Sequence, residues 1–138
     1  MSRVYNPDSA GKERKLLTRG VVLALRELMK QTEANDLTFD LTAYIAMSLG
    51  EISQTIDTSV GAWEKRGYWV KADKFRLEWE WANSYSRQMH DALVAEDWAK
   101  VAATAAKTAQ KFGKVTVPER NHLGTPWVGA WKEFKKAA

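Results

Sequence analysis

The chain has 138 residues, 45% of them hydrophobic and 28% charged, with no cysteine and a formal charge of +4. A hydrophobic share of this size excludes global disorder, and the missing cysteines exclude disulfides, thiol nucleophiles and cysteine-ligated metals. No window approaches the roughly 20 apolar residues of a spanning helix, and MSRVYNPDSAGKERK has no apolar core of signal-peptide length; with the lack of cysteine this points to the cytoplasm.

Asn6-Pro7-Asp8 predicts the start of a first helix, with Asn6 as cap, Pro7 at the first helical position and an acid at the positive dipole end. Ser9 is an alternative cap. Leu17, Val21, Leu25 and Leu28 repeat at helical spacing, Val22 and Met29 widen the stripe, and Asn35-Asp36 close it. A second helix, capped by Thr38 or Asp36, carries the most regular stripe: Leu41, Ile45, Leu49, Ile52, Ile56, Val60 and Trp63. Lys65 and Arg66 suit its negative dipole end, and Gly67 suits the left-handed closing position. With Arg66 as C-cap, Tyr68 is expected to pack back on Trp63.

A third helix from about Trp69 to Leu93 starts without a strong cap. Ala72, Phe75, Trp79, Ala82, Met89 and Leu93 form one stripe, and Leu77, Trp81 and Tyr85 a second beside it, as for a helix with two neighbours. A tight turn at Ala95–Asp97, with Asp97 as cap, leads to a fourth helix. Trp98, Val101, Ala105, Ala109 and Phe112 face inward there, Ala102, Ala103 and Ala106 allow close approach, and Gly113 ends it. The stretch ALVAEDWAKVAATAAKTAQKFGKV resembles one tetratricopeptide hairpin, but it lacks a partner at a 34-residue offset and reads as an ordinary helical hairpin. Lys114–Pro118 is extended. Thr125-Pro126 opens a short fifth helix whose Trp127, Trp131 and Phe134 share a face.

The expected fold is all-α: an antiparallel bundle of four main helices plus a short C-terminal helix, a single domain over residues 1–138 with the basic segment 114–138 packed on it.

Charge is uneven along this frame. Residues 1–105 carry 14 Lys and Arg against 15 Asp and Glu, whereas residues 106–138 carry 7 against 2. The basic candidates are Lys107, Lys111, Lys114, Arg120, Lys132, Lys135 and Lys136. The other unusual feature is WEKRGYWVKADKFRLEWEW, Trp63 to Trp81, where aromatics alternate with bases. Trp63, Phe75 and Trp79 fall on predicted inner faces and read as core. Arg66, Tyr68, Trp69 and Lys71 cluster at one helix junction, and with Trp81 they form the candidate ligand or partner site. An aromatic-basic rim suits an anionic, partly apolar ligand, a single-stranded nucleic acid or a subunit interface.

Catalytic signals are weak. His90 and His122 are the only histidines. A bundle di-metal site pairs each His with a Glu three residues before it, and position 87 is Arg. No metal and no cofactor are therefore expected. GxGxxG, P-loop and GxSxG motifs are absent. Asp57, Glu64, Asp73 and Glu78 are the carboxylates whose convergence would make an acid pair. Glu64 with Lys71, and Glu78 with Lys74 and Arg76, read instead as surface pairs.

The leading expectation is a non-catalytic binding protein acting through protein contacts, self-association to a homodimer among them. The alternatives are nucleic-acid binding through the basic C-terminal quarter, and a small-ligand binder or enzyme with a Trp-lined pocket. The segment TPWVGAWKEFKKAA docks on the body in the preferred reading, and binds a partner groove or a membrane surface in the others.

Overall fold

A computed structural model describes the backbone of residues 7–137 and side chains from Ser9 to Ala137. Five helices follow in order: α1 (Pro7–Leu28), α2 (Asp36–Lys65), α3 (Trp69–Val94), α4 (Trp98–Lys111) and α5 (Ala130–Ala137). Among the described residues there is no strand. The long α2 is central: α1, α3 and α5 pack on it, and α4 packs on α3 and the edge of α1. No helix of the described residues is long and apolar enough to cross a membrane.

The stripe predicted for α2 is its buried face. Leu41, Ile45, Leu49 and Ile52 are fully buried, Ile56 and Val60 nearly so, and Trp63 half-buried. Small polar residues flanking this stripe also enter the interior. Thr42 and Thr55, and on α4 Thr104 and Thr108, satisfy their hydroxyls by donating to carbonyls of their own helix one turn back.

Helix α1 begins at Pro7, as expected; the proposed cap Asn6 lies outside the described residues, and Ser9 sits within the helix. The C-terminal boundary differs from expectation. α1 stops at Leu28, leaving Met29 82% exposed, and Asn35 serves the next helix. Its extended backbone and side-chain Oδ1, which accepts from Thr38 N–H at 3.0 Å, make it the N-cap of α2 in place of Thr38 or Asp36.

The α2–α3 turn follows the sequence closely. Arg66 is the C-cap and Gly67 has φ +81. Gly67 N–H donates to Glu64 O at 3.0 Å and Tyr68 N–H to Trp63 O at 2.9 Å, the paired bonds of a Schellman closure. The ring partner of Trp63 is Phe75, at 4.9 Å. A Cβ at Gly67 would meet nothing within 4 Å, so Gly67→Ala carries only the cost of the left-handed backbone. A loss of about 1 kcal/mol is expected in urea unfolding. Equal stability would mean that this turn relaxes freely.

Three packing expectations change. Leu77 is 66% exposed, since it lies two residues, and hence about 200° of helix rotation, from both Phe75 and Trp79 on the inner face. Ala102, Ala103 and Ala106 are exposed, because α4 packs through Val101, Thr104, Ala105, Thr108 and Phe112. Pro126–Gly129 form a turn rather than the first turn of α5, and Gly129 has φ +82. Asp40 of α2 supplies the cap, accepting from Trp131 N–H at 2.9 Å and Gly129 N–H at 3.4 Å. Val117, Trp127 and Phe134 are buried, and Arg26 of α1 donates to Val117 O at 3.0 Å.

Candidate functional site

A cleft of about 600 Å³ lies between α1, the middle of α3 and the end of α4. Its α1 wall presents Gly11, Arg14, Lys15, Thr18 and Arg19; Glu78, Trp79 and Trp81 come from α3; Lys111, Phe112, Val115 and Thr116 complete it. Among the described residues four cations thus surround three aromatic rings, with Glu78 the one carboxylate in the lining.

Each part is held by the local fold. The rings form a continuous cluster: Trp81 stacks on Trp79 at 5.8 Å and 22°, and meets the Phe112 ring edge-on at 5.2 Å. Such contacts fix ring planes as well as burying area. Lys111 Nζ lies 5.9 Å from the Trp81 ring centre, and one turn earlier Lys107 lies 4.9 Å from Tyr85 while donating to Gln88 Oε1. These cations sit on the electron-rich ring faces.

Arg14 is the most constrained cation. Nη1 donates to Thr55 O and Ser59 Oγ at 3.3 Å and to Thr55 Oγ1 at 3.4 Å, and the guanidinium lies 4.9 Å from the Phe75 ring centre. Burial lowers its pKa from the usual arginine value, yet a guanidinium stays charged throughout the physiological range. The buried hydroxyls of α2 therefore anchor a positive charge at the cleft wall.

The five residues grouped from the sequence divide between two places. Arg66, Tyr68, Trp69 and Lys71 stand at the α2–α3 turn, exposed, with Lys71 Nζ 4.6 Å from the Trp63 ring centre. Trp81 lies three turns further along α3, in the cleft, half-buried among rings of its own chain. The surface pairing also differs. Arg76 bonds both Glu64 at 2.9 Å and Asp73 at 2.6 Å, because helical spacing brings Asp73 alongside it and the α2–α3 hairpin brings Glu64. These two bonds raise the Arg76 pKa further.

The basic candidates divide as well. Lys107 and Lys111 lie against α3, Lys114 and Arg120 are exposed beyond α4, and Lys132, Lys135 and Lys136 ride on α5. Lys135 Nζ is 5.7 Å from the Trp131 ring centre, and Lys136 pairs with Glu133 at 3.7 Å. His90 is exposed, with Nδ1 3.2 Å from Asp91 Oδ1, and His122 is exposed in the loop before α5. Among the described residues no group of three His, Asp or Glu could hold a metal ion.

The cations of α1 were not singled out in the sequence. Their signal was the KERKLLTRG spacing, which sets Arg14 with Thr18 and Lys15 with Arg19 four apart, on one side of the helix. Comparison with protein-family models, curated proteins and solved structures finds no match.

Proposed function

We propose that this is a non-catalytic binding protein whose cleft between α1, α3 and α4 takes an organic anion with an apolar or aromatic body. The observation that carries the reading is the convergence of Arg14, Lys15, Arg19 and Lys111 on the Trp79–Trp81–Phe112 cluster in one cleft of ligand size. Cations would neutralise the acidic group of the ligand while the rings take its apolar part out of water. Arg14 is already ordered by α2 and loses little freedom on binding.

Titration with 1-anilinonaphthalene-8-sulfonate, an aromatic anion, tests this. Saturable binding of one equivalent is expected, with quenching of tryptophan emission. Arg19→Ala combined with Lys111→Ala should weaken it about ten-fold, the scale of one charge-assisted hydrogen bond. Binding of many equivalents, or binding indifferent to the double change, would refute the cleft as the site.

The Lys111–Trp81 and Lys107–Tyr85 pairs, one turn apart on α4, favour a second reading in which the anion is a single-stranded nucleic acid. Oligothymidylate that displaces the naphthalene sulfonate, binds more tightly with length and weakens steeply with salt would select that reading.

A further inference from the structure

Three consecutive apolar side chains stand in solvent at the α2–α3 turn: Tyr68 is 55% exposed, Trp69 59% and Val70 71%. The cause is local. Gly67 closes α2 in the left-handed region, and α3 starts at once with Trp69. In that first turn only Ala72 is buried, at 0% exposure. Trp63 does not cover the tip, because its ring meets Phe75 and carries Lys71.

The charge around this tip is one-sided. Lys65, Arg66, Lys71 and Lys74 are all exposed. The neighbouring carboxylates, Glu64 and Asp73, are both engaged by Arg76. Among the described residues none of the four cations forms an ion pair.

We propose that this tip docks on a membrane surface bearing anionic lipids. Trp69 and Val70 enter the boundary between headgroups and acyl chains, Tyr68 sits at headgroup level, and Lys65, Arg66, Lys71 and Lys74 face the lipid phosphates. Peripheral anchoring draws on buried apolar area and attraction to anionic lipid, and the tip presents both between Lys65 and Lys74. Trp and Tyr settle at the membrane–water interface because their rings are apolar and their tips polar. Val70 decides against a base-stacking surface: an aliphatic side chain with no flat face adds to a hydrocarbon contact and nothing to a stack. The inference is independent of the cleft.

Flotation of the full chain with vesicles tests it. Vesicles of phosphatidylglycerol mixed with phosphatidylcholine should carry the protein at low ionic strength, and phosphatidylcholine alone should not. Trp69→Ser with Val70→Ser should lower partitioning about ten-fold, as should Lys71→Glu with Lys74→Glu. All four residues are exposed, so both variants should keep the wild-type circular dichroism and melting curve, which is measured alongside. Acyl-chain-brominated lipid should quench part of the tryptophan emission, and Trp69→Phe should remove that part while preserving flotation.

Absence of flotation at low salt would overturn the proposal. So would flotation unchanged by both tip variants, which would move the anchor to the aromatic and basic α5. A tip required instead for oligonucleotide binding or for a concentration-dependent dimer, without vesicle binding, would overturn it too.

Discussion

Replacing Phe134 by Ala is expected to cost about 3–5 kcal/mol in urea unfolding, the range for emptying a buried aromatic site. Phe134 is 4% exposed and stacks on Trp131 at 5.5 Å, with the His90 ring at 5.1 Å on its other flank. Trp131 in turn stacks on Phe39 of α2 at 4.9 Å, so a single short helix connects Phe39 of α2 to His90 of α3. Against a total stability of about 5–15 kcal/mol such a loss is a large fraction. Lys135→Ala, on the exposed face of the same helix, should change stability by less than about 0.5 kcal/mol. A Phe134→Ala loss below 1 kcal/mol would show that α5 is a loosely held appendage. The same packing rules out a simple truncation test of the basic C-terminal quarter: removing residues 114–138 takes away buried Val117, Trp127 and Phe134 along with the charges.

Gly20→Ala is expected to destabilise by about 1–2 kcal/mol although Ala is the better helix former. Helix propensity favours the change by about 1 kcal/mol, but overpacking costs about 1–3 kcal/mol. Here the overlap is severe. A Cβ at Gly20 would run into Tyr44 Oη and lie 3.2 Å from its Cζ, where α1 crosses α2. Tyr44 is partly buried and packed against the core, so the ring does not swing away freely. Tyr44→Phe in the Gly20→Ala background should therefore recover much of the loss, a coupling on the order of 1 kcal/mol in a double-mutant cycle. Additive effects would mean that the helices separate instead. The Tyr44 pKa is raised, first by burial and also by the nearby Glu51 carboxylate. The folded state thus holds this proton more tightly than the unfolded state. Its contribution is fully present below the usual tyrosine value of 10.0 and is lost as pH rises through the higher folded value. Tyr44→Phe should flatten that alkaline loss.

The candidate site was half legible in the sequence. The aromatic wealth of residues 63–81 and the bases beside it stand out in one dimension, and Trp81 and Lys111 do meet in the cleft. Arg14 and Arg19 were legible only as a helical spacing, because a cation on an amphipathic helix reads as solvated until its neighbours are known. The half-buried state of Arg14 depends on Thr55 and Ser59, which lie 41 and 45 residues away. Grouping Trp81 with Tyr68 and Trp69 joined residues that are close in the chain. Twelve residues of helix, about 18 Å, separate Trp69 from Trp81.

Local chemistry was enough for most helices and their ends. Period and capping require only a residue and its neighbours within a turn or two, which is why the α2 stripe, the Gly67 closure, the capless start of α3 and the Asp97 cap could be read directly. The points decided in three dimensions are those whose partner is distant in the chain. The start of α5 waits on the Asp40 carboxylate, which caps it 91 residues away. The exposure of Leu77 follows from which face of α3 meets α2, and the placing of the Arg14 charge against Thr55 and Phe75 from the packing of α1 against α2. A helix can announce its apolar face by periodicity alone, but which polar groups end up against that face is set by the neighbour that covers it.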